Sequence, residues 1–256
     1  MKIGLIGAGS MASALARGLG EPAVIFDVAR ERAEALAAEV GGEVAASNAE
    51  LARAVDLVVL CHKPAQLEQV AEQVAGEARA VASIVAATRI ARIEDAYPGA
   101  PVYRFIPNIP VEVGRGVLCY APGSRAAEGP EQEVLRLFGR CGTVIALEES
   151  LIEPAMALMS CGPAFVALVV EAMAGAGARH GLEQEQATRL MVETLAGTAA
   201  YLDANGLDAG ELRRRVATPG GVTEQGLDAL ERAGLRESLA AAVDLVVAAT
   251  EPERAA

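Results

Sequence analysis

Lys2-Ile3-Gly4-Leu5-Ile6-Gly7-Ala8-Gly9-Ser10-Met11-Ala12 is the stretch that decides the fold. Lys2 to Ile6 reads as a short buried strand, and an apolar-periodic helix runs from Met11 to Leu19. Between them lies the spacing G-x-G-x-x-G/A, in the β-turn-α frame that gives this spacing its meaning. Gly7 makes the tight turn, and Gly9 lets the backbone approach a pyrophosphate. Ala12 stands for the third glycine, small enough for close helix–strand packing. The pattern implies a dinucleotide-binding domain.

Working outward, the next strand, Ala23 to Asp27, ends in an acid at the distance expected for a carboxylate gripping an adenosine ribose. Asp27 favours NADH, because a 2′-phosphate would be repelled. Arg30 and Arg32 follow closely and offer such a phosphate a partner, so NADPH stays open. The plainer reading of all three is a solvated helix start. The alternation then continues: a helix over 30–40, strands near 43–46 and 55–61, a helix over 65–74, and strands at 80–86 and 102–106. Strands separated by helical patterns predict a doubly wound parallel sheet, with ligands at the carboxyl ends of its strands. Those ends carry His62-Lys63-Pro64, Ala86-Ala87 and Ile106-Pro107-Asn108-Ile109-Pro110, where two prolines bracket Asn108 in a stiff loop.

After a strand at 144–147 the pattern turns helical, which divides the chain into a 1–150 Rossmann-type domain and an all-α domain over 151–256. Helices are expected over 153–180 (interrupted near Gly162-Pro163), 183–205, 208–216, 223–233 and 235–250. Their many alanines and glycines suggest close helix approach, and burial against a second copy is the natural outlet for so much apolar surface. Thr218-Pro219-Gly220-Gly221-Val222-Thr223 reads as a tight loop feeding a helix, with Thr223 as the N-cap. Bare N–H groups there suit a carboxylate. A well-capped turn between helices is the alternative.

Composition excludes several classes. Hydrophobic residues make up 52% of 256, so the chain is globular. Aromatics are 3% with no Trp, and the net charge of −12 carries no dense Lys/Arg run, which argues against nucleic acid and anionic membranes. Cys61, Cys119, Cys141 and Cys161 are widely spaced and the only histidines are His62 and His180, so no metal site is expected. Free thiols, no signal-like leader and an apolar run (155–170) shorter than a spanning helix fit a cytoplasmic protein. The lysines are Lys2 and Lys63 alone, so the helical half has no lysine general base of the hydroxyacid-dehydrogenase kind.

Taken together these stretches resemble the pyrroline-5-carboxylate reductase family over essentially the whole chain. The resemblance rests on Ile3 to Met11, Ser47-Asn48-Ala49-Glu50, Lys63-Pro64, Pro107-Asn108-Ile109-Pro110, Gly162-Pro163-Ala164-Phe165 and Thr218 to Thr223. It implies an N-terminal NAD(P)H domain and a C-terminal helical dimerisation domain, with the partner subunit completing the active site and, in some members, rings of dimers. It also implies that Gly7, Ala8, Gly9, Ser10, Met11 and Ala12 hold the pyrophosphate and Asn48 the adenosine end. His62, Lys63, Pro64, Ala86, Ala87 and Asn108 then belong to the ribose and nicotinamide side. Thr218, Gly220, Gly221, Val222 and Thr223 would hold a cyclic imine carboxylate, with the Thr223 hydroxyl on the ring nitrogen. Departures from the family pattern cluster at that end: Cys161, Phe165, Ile109, Ala87, Ala217 and His62. They keep open a different cyclic imine as substrate, or a reductase-like protein without turnover.

Overall fold

The structure is a computed structural model that describes residues 1–74, 76–206 and 208–254. Its first part runs β1 (Ile3–Ile6), α1 (Ser10–Leu19), β2 (Val24–Phe26), α2 (Arg30–Val40), β3 (Glu43–Val44), α3 (Asn48–Ala54), β4 (Leu57–Leu60), α4 (Leu67–Val74) and β5 (Val81–Ser83). It continues with α5 (Ile90–Ala96), β6 (Val102–Pro107), β7 (Gly116–Pro122), α6 (Glu131–Phe138), β8 (Gly142–Ala146) and α7 (Ile152–Met159). The strands form one sheet in the order β3-β2-β1-β4-β5-β6-β7-β8. Chain order reverses between β1 and β4, which opens a crevice at their carboxyl ends.

The two faces of the sheet follow the period-2 rule. Ile3 and Leu5 of β1 and Leu57 and Val59 of β4 point into one core with Leu15 and Leu19 of α1. Ile6, Val58 and Leu60 point into the other, with Leu51, Leu67 and Val70. Gly4 allows the second contact, since a Cβ there would lie 2.4 Å from Leu51 Cδ2. At the far edge the Phe105 ring stacks on Phe138 and Tyr120, with centroids 4.0 and 4.9 Å apart.

The sheet differs from the expected all-parallel arrangement in one place. β7 pairs antiparallel with β6, and β8 then pairs parallel with β7. β7, α3, α5 and α6 carry weak sequence signals. β7 begins at a glycine and ends at a proline, and α5 has no side-chain cap on its N-terminal residue Arg89. α3 is only seven residues, held by Ser47 Oγ accepting from Glu50 N–H at 3.1 Å and by Glu50 Oε2 accepting from Ala46 N–H at 2.8 Å.

The helical part comprises α8 (Gly162–Arg179), α9 (Gln184–Ala204), α10 (Ala209–Val216), α11 (Val222–Arg232) and α12 (Leu235–Arg254). The compact units are Met1–Pro163 together with the end of α12 from Val247, and Ala164–Val246. By contacts the first unit runs past residue 151, because Ile152 and Met159 of α7 pack on Ile106 and Cys119 of the sheet. Within Glu149–Arg179 an 18-residue stretch reaches a mean hydropathy of 1.8, enough by length and composition to cross a membrane. The segment is not one helix, since Ser160 and Cys161 separate α7 from α8. In the second unit Ala174 and Ala187 are buried, while Val166, Leu168, Met173 and Leu190 stand exposed.

Candidate active site

The turn after β1 is built by two glycines with different jobs. Gly7 has φ +109°, a Cβ on it would lie 2.8 Å from the Cys61 carbonyl oxygen, and its N–H bonds Phe26 O at 2.8 Å. Gly9 is the N-cap of α1 in extended conformation, and a Cβ there would meet open space. Gly7 is thus demanded by the fold, and Gly9 by whatever occupies the crevice. The first-turn amides of α1 lie beyond Gly9 without intrahelical acceptors. Asp27 braces the turn, with Oδ2 accepting from Ala8 N–H at 2.7 Å and Oδ1 from Ala29 N–H at 2.8 Å.

A cavity of about 310 Å³ opens beside this turn, lined by Gly7, Gly9, Asp27, Arg32, Asn48, His62, Lys63 and Gln66 among others. A second, of about 550 Å³, lies on the other side of the loop against Ala8, Gly9, Ser10, Arg17, Arg32 and Ile109. Two polar atoms of the first cavity's lining residues are buried and unpaired: Asn48 Oδ1 and His62 Nε2. Asn48 is held by Nδ2 donating to Gln73 Oε1 at 2.9 Å. His62 Nδ1 faces the Lys63 carbonyl at 2.9 Å, so Nδ1 carries the proton and Nε2 is left as an acceptor. Burial pushes the His62 pKa below its usual value, against the opposing pull of that hydrogen bond and of Glu68. Open space at Gly9, unpaired helix amides and orphaned acceptors fit a dinucleotide.

The cavities bring together Gly7, Ala8, Gly9, Ser10, Asp27, Asn48, His62 and Lys63 of the expected set. Met11, Ala12, Pro64, Ala86, Ala87 and Asn108 do not line either one. Ala12 is packed against the core, and the Asn108 amide is spent on structure, donating to Met159 O at 2.9 Å and accepting from Val117 N–H at 2.8 Å. Ala87, after β5, has φ +53°, the one non-glycine residue at positive φ among the described residues. Arg32, Gln66 and Val28 are among the additions. Arg32 was legible as a charge near Asp27, whereas nothing in the sequence marked Gln66, whose Oε1 accepts from Lys63 N–H at 3.0 Å.

The 218–223 loop belongs to the helical unit. Gly221 N–H bonds Thr218 O at 2.9 Å and Gly220 has φ +75°, the signature of a type II turn with Pro219 in its second place. The N-cap of α11 is Gly221, not Thr223, because the helix already starts at Val222. Gly220 N–H is taken by Glu224 Oε2 at 2.7 Å. The amides without intrahelical acceptors are thereby those of Val222, Thr223 and Glu224, in the first turn of α11. The Thr223 side chain is exposed beside them.

The pyrroline-5-carboxylate reductase dimerisation profile matches residues 149–252, and the profile of NADP oxidoreductase, coenzyme F420-dependent, matches residues 2–87. A pyrroline-5-carboxylate reductase of Methanosarcina acetivorans is 34% identical over 98% of this chain and 96% of its own. Among solved structures, the 1-pyrroline-5-carboxylate reductase of Streptococcus pyogenes superposes with a TM-score of 0.89 at 26% identity, covering 98% of each chain. The Plasmodium falciparum pyrroline carboxylate reductase with NADP bound gives 0.87 at 25%, covering 99% of this chain and 98% of its own. A glycine-turn crevice in a Rossmann-type sheet, followed by a helical dimerisation region, defines a class, the NAD(P)-dependent oxidoreductases. Within it, the chain belongs to the pyrroline-5-carboxylate reductase family.

Proposed function

We propose that this chain reduces 1-pyrroline-5-carboxylate to L-proline with NAD(P)H. The observation that carries the reading is the 218–223 turn, which offers the unpaired first-turn amides of α11 and the exposed Thr223 hydroxyl on one short stretch. The amides of Val222 and Thr223 hold the substrate carboxylate, and Thr223 Oγ1 accepts from the ring N–H of the protonated imine. The bound cofactor supplies the hydride. A protonated cyclic imine takes hydride at carbon without a further base, which agrees with the missing lysine. His62, neutral at pH 7, and Lys63 serve the cofactor.

Arg32 lines both cavities, while Arg30 is tied to Glu34 at 2.7 Å. Asp27 has both oxygens on backbone amides, which blunts its discrimination against a 2′-phosphate. These features favour NADPH over NADH, reversing the lean that Asp27 alone suggests. The dimerisation region and its exposed apolar residues support a homodimer, and four free cysteines support a reducing, cytoplasmic setting.

The test is turnover of pyrroline-5-carboxylate with NADPH and with NADH separately, proline being identified as product. Rates in the ordinary enzyme range of about 1–10³ per second are expected, with NADPH the better donor. Thr223→Ala is expected to lower kcat by roughly tenfold or more with cofactor Kd unchanged. Lost cofactor affinity with normal turnover would contradict the role given to Thr223.

A further inference from the structure

One carboxylate oxygen ties three elements of the sheet unit together. Glu149 Oε1 accepts from Ile90 N–H, the first amide of α5, at 2.6 Å, and from Arg104 Nη1 on β6 at 3.0 Å. Arg104 is fully buried, and its Nη2 reaches Glu153 Oε1 of α7 at 3.1 Å. Arg89 gives α5 no side-chain cap, so Glu149, distant in sequence, does what an N-terminal serine or aspartate ordinarily does.

The segment leading into α5 is the loop after β5. Ile84 N–H bonds Leu60 O at 3.0 Å, so this loop leaves the sheet beside Cys61-His62-Lys63, which line the first cavity. Inside it Thr88 Oγ1 donates to Ala86 O at 3.1 Å and Ala87 is held at φ +53°. An alanine stays in that region only where its surroundings hold it there. The hold on the far side is the Glu149 bond to Ile90.

We propose that Glu149 is a positioning residue: by capping α5 from a distance it holds the Ala86–Arg89 loop in the shape that receives the cofactor, and so sets cofactor affinity. The inference rests on the reading of this loop as the nicotinamide side of the site. Arg104 keeps the Glu149 carboxylate in place, and Glu153 balances Arg104 from the first turn of α7.

The test is NADPH affinity by calorimetry, with melting temperature alongside, for wild type, Glu149→Ala, and Glu149→Ala combined with Arg89→Ser. Glu149→Ala is expected to raise the NADPH Kd about tenfold. Arg89→Ser supplies a local cap and is expected to return the Kd to within about threefold of wild type while leaving the Arg104–Glu149 pair broken. A lower melting temperature with unchanged Kd would make Glu149 merely structural and overturn the proposal, as would a raised Kd that Arg89→Ser does not repair. If Glu149→Ala fails to fold, Glu149→Gln carries the test, since it keeps an acceptor but weakens the bond. A rise in Kd of about twofold to threefold, removed by Arg89→Ser, is expected there, and no rise or an unrepaired one overturns the proposal. Because the readout needs no imine, wild type that binds NADPH without reducing pyrroline-5-carboxylate would sink the proposed function separately.

Discussion

Gly9 and His62 are single residues whose surroundings predict separable effects. A methyl at Gly9 meets no protein atom, so Gly9→Ala is expected to fold with a stability loss under about 1 kcal/mol while weakening NADPH binding roughly tenfold or more. Calorimetry and a thermal melt read the two effects independently. His62 titrates below its ordinary 6.5 because it is buried. Between the folded and unfolded pKa values the unfolded chain therefore holds more protons, so stability is full above about pH 6.5 and falls on acidification through that window. Urea midpoints at about pH 5 and about pH 7.5 should diverge for wild type more than for His62→Gln. Of these residues the glycine was legible, since G-x-G-x-x-A needs only spacing. The protonation state and tautomer of His62 were not, because both depend on burial and on the Lys63 carbonyl.

At the scale of elements, α7 and the turn before it are bolted to β6 and the residue after it by Arg104 with Glu149 and Glu153, and by Asn108 with Met159. Removing the guanidinium leaves two carboxylates short of a partner, one of them buried. Arg104→Met is accordingly expected to cost about 3–5 kcal/mol in chemical unfolding, far more than a surface ion pair. A loss below about 1 kcal/mol would show the pair to be dispensable. The family resemblance suggested Asn108 as a cofactor contact, while two prolines marked its loop as stiff; its amide bonds at this junction. β7 escaped notice for a different reason: it is an almost wholly buried strand entered from Gly116, where alternation carries no signal. Its antiparallel pairing with β6 depends on long-range register. Conversely, the loop at 218–223 was read correctly as a turn because Pro and Gly act locally, while its cap was misread by two residues.

On the scale of the whole molecule, the sheet unit has large buried cores of its own, whereas few described residues of the helical unit are buried. Leu168, on α8, is 64% exposed, and Val166, Met173 and Leu190 are also uncovered. Covering one leucine is worth about 1.5–3 kcal/mol, and a twofold axis counts it twice. Leu168→Glu is thus expected to move the protein from dimer toward monomer in sedimentation at micromolar concentration, with NADPH binding retained. A dimer as tight as wild type would exclude this face from the interface. That the second half has apolar surface to spare was visible in composition. Which side chains carry it was not, since small and apolar residues occur all round these helices.

Glu224 has a consequence for discrimination. Its carboxylate closes on Gly220 N–H just before α11, so the loop proposed to hold the substrate carries a carboxylate of its own. A ligand with one carboxylate can settle on the amides still open and keep clear of that charge. A ligand bearing two must bring its second anion toward Glu224 or displace it. On the proposed role of this loop, dicarboxylates of similar size are expected to compete with the substrate more weakly than monocarboxylates, as inhibition constants would read.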